Sequence, residues 1–169
     1  SLGEVYSQVD FTPRGQAIYS IKGDFTLIGN TNLTLQNYSD SENNSNQIMV
    51  YVDADDDILP VLPASAETVN SSSSNLVFST ENGAAPECSN VLFAGLYWTG
   101  RTDGTPTDLQ KRTIKFRHDN QDTYQTIVAN VGDIEHPGSN AMYASYADVT
   151  DIVTANGLGK YWAADIAIT

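Results

Sequence analysis

RTIKFRHDNQDTYQTIVANV, residues 112–131, decides the fold class. Ile114 and Phe116 alternate with Thr113, Lys115 and Arg117, a period of two that sends apolar side chains to one face of a strand and polar ones to the other. HDNQD then supplies turn formers, and YQTIVANV resumes the extended pattern. The spacing predicts a β-hairpin with Ile114 and Phe116 facing a core and Arg117 facing outward. His118 falls on the inward face where the first strand ends, which predicts a histidine satisfied at the sheet end.

The same period recurs on both sides of the hairpin. Phe25 and Leu27 alternate in GDFTLIGN, Leu33 and Leu35 in NLTLQN, and Leu76 and Phe78 in NLVFST. NVLFAGLYWTG, residues 90–100, is apolar on both faces, as a central strand covered on both sides requires. YSDSENNSN, NSSSSN, TENGAAPECSN and GRTDGTP read as turns and loops between strands. In YADVTDIVTANG, Asp148 or Thr150 caps a helical turn that carries Ile152 and Val153, with Gly157 ending it. The prediction is an all-β antiparallel sandwich, jelly-roll-like, with one short helix near 148–156. YWAADIAIT places Trp162, Ala164, Ile166 and Ile168 on one face and meets no turn after it. Residues 1–169 are therefore expected to form a single module that lacks a closing strand and belongs to a much larger chain.

Charge narrows the partners. The chain of 169 residues carries a formal net charge of -13, which argues against nucleic acid or an anionic membrane surface. It suits a protein that stays soluble outside a cell, or one that holds divalent cations. No Lys or Arg falls between Lys22 and Arg101, and the basic residues then gather from Arg101 to Arg117. Cys88 is the single cysteine, so an internal disulfide framework is ruled out. The apolar runs are strand-sized, too short for a transmembrane helix.

The acids concentrate in QIMVYVDADDDILP, residues 47–60. An alternating strand, with Ile48, Val50 and Val52 on one face and Met49 and Tyr51 on the other, leads into Asp53, Asp55, Asp56 and Asp57. An EF-hand beginning at Asp53 fits at Asp55 and Asp57, then fails: Ile58 stands where the turn glycine belongs and Ala64 where the bidentate glutamate belongs. Two readings stay open. Asp53, Asp55 and Asp57 begin a looser calcium shell completed by carbonyl oxygens, or the acids form a solvated loop.

Other chemistry is sparse. His118, His136 and Cys88 lack zinc-ligand spacing, and no Gly-x-Ser-x-Gly motif presents a nucleophile. The acids are too numerous for any pair to mark glycoside hydrolysis. The sequence is therefore read as non-enzymatic. Tyr97, Trp98, Arg101 and Asp103 offer the ring faces and polar groups that sugar recognition uses, against the plainer reading of an ordinary strand end. Asn32, Asn37, Asn43 and Asn70 begin N-glycosylation sequons, which matter only in a host that glycosylates.

Six segments in order, IKGDFTLIGNTNLT, VYVDADDD, NSSSSNLVF, CSNVLFAGLYWTGR, IKFRHDNQDTYQTIVA and YASYADVTDIV, resemble a module of very large surface adhesins of gliding and related Bacteroidetes exported by the type IX secretion system. The AGLYWTGR and YADVTDIV pair carries most of the likeness, which runs from Lys22 onward. The family pattern continues past ADIAIT into a glycine-rich turn and another apolar strand, and this sequence departs from it there. The resemblance implies an extracellular, non-catalytic adhesion or gliding-filament module on the outer surface of a Gram-negative bacterium. Its partners would be an external surface, a glycan, or neighbouring modules of the same protein. Asp53 and Asp55 fall in the family-like VD-x-D, which adds weight to the calcium reading. The alternatives are a lectin-like module and, more remotely, a polysaccharide-active enzyme.

Overall fold

In the computed structural model, residues 22–41, 43–44, 48–55, 68–138 and 141–169 are described. The described strands are β1 (Leu33–Leu35), β2 (Met49–Tyr51), β3 (Ser71–Leu76), β4 (Gly95–Arg101), β5 (Thr113–His118), β6 (Gln125–Val128), β7 (Ile134–Glu135), β8 (Met142–Asp148) and β9 (Gly159–Ala164). Two helices join them, α1 (Asp108–Lys111) and α2 (Thr150–Asn156). The chain is all-β and antiparallel, as its period of two predicts. One sheet has the order β3-β9-β5-β6, a second β4-β8-β7, and β1 pairs with β2.

The opening hairpin is β5–β6, with Ile114 opposite Ile127 and Phe116 opposite Gln125. The two larger sheets face each other. Trp98 from β4, Ile114 from β5 and Tyr143 and Ala147 from β8 meet between them. Phe116 and Tyr161 stack at one end of this core with Val149 and Val153. Trp98 closes its polar edge by donating Nε1–H to the Lys111 carbonyl at 2.8 Å. His118 takes its expected sheet-end place: Nε2 lies 3.1 Å from the Leu158 carbonyl, and Nδ1 accepts the Asn120 N–H. Asp148 accepts the Thr150 N–H at the start of α2, and Gly157, at φ 73°, ends it.

Three sequence expectations are corrected. β4 is not a central strand; among the described strands it sits at a sheet edge, with Leu96 and Trp98 inward and Tyr97, Thr99 and Arg101 exposed. NSSSSN is not a loop. Ser71–Leu76 form β3, paired along their length with β9, and Ser71 and Ser72 are buried. β3 ends at Leu76, so Phe78 lies beyond it. The third concerns the outer face of the β3-β9-β5-β6 sheet, where Trp162 and Arg117 lie opposite each other. Both are buried, at 1% and 2% exposure. At this pair the face predicted to meet water is covered, while Thr126 and Val128 on the same face stay exposed.

Candidate functional site

What lies over that outer face begins with backbone. Asp53 bridges to Ser71 in parallel, tying the end of β2 to the start of β3. Ser71 N–H donates to the Val52 carbonyl and Ala54 N–H to the Ser71 carbonyl. These bonds form a neck between residues 52–54 and Ser71, and Asp53 and Asp55 stand in it. Asp57 lies outside the described residues.

Two hydroxyls sit between the two acids. Ser71 Oγ is 2.8 Å from Asp53 Oδ1 and 2.5 Å from Asp55 Oδ1. Thr68 Oγ1 is 2.9 Å from each of the same two oxygens. A hydroxyl has one proton to donate, so each is shared between the carboxylates. Ser71 Oγ also accepts the Asp55 N–H at 3.0 Å. The other Asp55 oxygen accepts from the Tyr124 hydroxyl at 2.6 Å. Asp55 is 1% exposed, so a solvated loop does not describe it.

Tyr124 reaches Asp55 because of hairpin register. It directly precedes β6, and one step beyond the Phe116–Gln125 pair it lies beside Arg117. Arg117 is opposite Trp162, which is opposite Ser73. The Arg117 guanidinium is thus flanked by two rings, its carbon 5.3 Å from the centroids of both Tyr124 and Trp162. Arg117 Nη1 donates to the Gln121 carbonyl at 2.9 Å, while Nε and Nη2 are buried without a hydrogen-bond partner among the described residues. Trp162 Nε1 donates to Asp119 at 3.1 Å. Lys160 Nζ lies 5.6 Å from the Trp162 ring.

The environment drives the two acids apart. Burial raises the Asp53 carboxyl above its ordinary range, and the neighbouring Asp55 adds to this. Burial also works to raise Asp55, but hydrogen bonds from Ser71, Tyr124, Asp53 and Thr68 outweigh it and hold that carboxyl low. Asp53 is therefore the member that takes a proton first. The Tyr124 phenol is pushed up by burial and then by Asp55. The arrangement is a polar clamp, with no nucleophile and base in reacting geometry among the described residues. As a cation site it offers two carboxylates and two hydroxyl oxygens.

The expected sugar-binding set is split by the sheet. Tyr97 and Arg101 share the exposed face of β4, and the Tyr97 ring lies 4.8 Å from that of Tyr146. Trp98 points the other way, 3% exposed in the core. Asp103 Oδ1 accepts the Thr105 N–H at 2.9 Å and the Thr105 hydroxyl at 2.6 Å, bonds that hold its carboxyl low. Asn32 and Asn70, two of the sequon asparagines, are buried and bonded to each other at 2.7 Å. Sequence reasoning missed Thr68, Ser71, Tyr124 and Arg117. For Arg117 and Tyr124 a signal existed, since hairpin register sets them side by side.

No family model, curated protein or solved structure matches the chain. Among the described residues no helix is long and apolar enough to cross a membrane. An open cleft of about 510 Å³ lined by Leu92 and Asp148–Ile152 lies at the start of α2. A second, of about 240 Å³, runs between Tyr51, Val69, Pro106 and Ile168.

Proposed function

We propose that the chain is a non-catalytic adhesion or structural module of a secreted bacterial surface protein. The observation that carries this reading is how the reactive side chains are used. Asp53, Asp55, Thr68, Ser71 and Tyr124 form one connected set of hydrogen bonds across this neck, with the Tyr124 ring against Arg117. Such a network favours rigidity over turnover, because every polar group it commits must stay in place. The external surface, or neighbouring modules of the same protein, would be its partners. The test is attachment of chain-coated beads to glycan-coated and bare surfaces under flow. Retention without release of reducing ends supports the reading; hydrolysis of a polysaccharide, lost in Asp55→Asn, would overturn it.

One observation favours the lectin-like alternative in altered form. The exposed ring of Tyr97 stands on the same face as Arg101, a stacking surface beside a hydrogen-bond donor. Under that reading Tyr97→Ala abolishes sugar binding while the fold survives. Calcium is a separate proposal, resting on the four oxygens gathered at the neck. Calcium bound there would raise the thermal midpoint by several degrees at about a hundredfold excess over Kd. Superimposable melting curves with calcium and with chelator would leave the acids to the hydroxyl network.

A further inference from the structure

Asparagine followed by glycine occurs twice, at Asn82–Gly83 and at Asn156–Gly157, and the fold treats the two pairs oppositely. In the last turn of α2, Asn156 Nδ2 donates to the Ile152 carbonyl at 2.7 Å. Gly157 N–H donates to the Val153 carbonyl at 2.8 Å. The carboxamide and the backbone nitrogen that follows it are each held.

Asn82 sits in the exposed turn Glu81–Gly83, between β3 and β4, with φ 54° and ψ 26°. The turn is closed by Ala84 N–H on the Glu81 carbonyl at 3.0 Å, a bond that engages neither the Asn82 side chain nor the Gly83 nitrogen. Gly83 has φ 77°, and a Cβ built on it would meet nothing within 4 Å. Glycine leaves its own nitrogen unobstructed and lets the backbone rotate freely. Both reacting groups therefore lie in an exposed turn, in reach of water.

We propose that Asn82 is a site of spontaneous covalent modification, becoming aspartate and isoaspartate through a cyclic imide, while the fold shields Asn156. The Gly83 nitrogen attacks Asn82 Cγ and a C–N bond forms. The Cγ–Nδ2 bond breaks, and ammonia leaves with the proton from the Gly83 nitrogen. Water then opens the five-membered ring at either carbonyl. One opening gives aspartate; the other gives isoaspartate, which routes the main chain through the side-chain carbon. Each product adds one negative charge to the β3–β4 connection.

The test incubates the folded chain in mildly alkaline buffer and follows both asparagines by peptide mass mapping, with an isoaspartyl methyltransferase to count isoaspartate. The Asn82 peptide should divide into two products. Asn156 must first give up two hydrogen bonds, so it should lag about tenfold or more, and the two rates should converge in denaturant. Asn82→Gln, an exposed substitution, should take up almost no methyl groups while folding normally. The proposal is overturned if Asn82 stays intact, if Asn156 keeps pace with it in the folded chain, or if Asn82→Gln still labels fully.

Discussion

Tyr124 bears more of the clamp than its place in a hairpin suggests. Its hydroxyl is a donor to a buried carboxylate at 2.6 Å, and Tyr124→Phe removes that donor while leaving the ring on Arg117. The expected cost is about 1–3 kcal/mol, the range for a buried acceptor left unsatisfied. It should be read as a lower urea midpoint with an unchanged slope. Trp98→Ala is expected to cost about 3–5 kcal/mol, since it empties the core, and is therefore unsuitable as a test of sugar binding. The acid side of the stability curve has two opposed parts. Asp55, held low, contributes stability above the carboxylate range that is lost as pH falls through its folded value. Asp53, held high, contributes in the opposite sense, and is charged only as pH rises through its own. Alternation around Ile114 and Phe116 was legible because it is local. The partnership of Asp55 with Tyr124 was not, because it joins residues 69 apart whose meeting depends on which strands become neighbours.

Among elements, β3 shows where pattern reading stops. A run of four serines has no apolar alternation, so it reads as a loop. It becomes a strand because β9 supplies a full register of partners, from Ser71–Ala164 to Leu76–Gly159. β4 errs in the other direction: its apolar residues suggested cover on both faces, yet Tyr97 is half exposed. The turn before β9 gives a sharper prediction. Gly159 has φ 131°, and an added Cβ would come within 2.6 Å of His118 Nε2, whereas Gly157 at φ 73° has open space. Gly157→Ala should cost about 1–3 kcal/mol, because its positive φ with ψ -146° is a conformation nearly confined to glycine. Gly159→Ala should cost more, because the ring that closes the sheet end must also move. Paired thermal melts decide the order.

For the whole molecule, alkaline stability follows from three phenols. Burial pushes Tyr161 up to about 12, and raises Tyr124 and Tyr143 well above the ordinary tyrosine value. From about pH 10 upward the unfolded chain sheds protons that the folded chain keeps, so stability falls as pH rises. In an absorbance titration of the nine tyrosines, these three should ionise only with loss of near-ultraviolet circular dichroism. The sandwich itself could be read from the period of two, but strand order could not, and order has a consequence in time. Among the described strands β3 is hydrogen-bonded only to β9, which also borders β5. Residues 71–76 must therefore wait for residues 159–164 before their sheet can close. On a ribosome residues 71–76 emerge before their partner, and this edge of the sheet is completed only after residues 159–164 have followed.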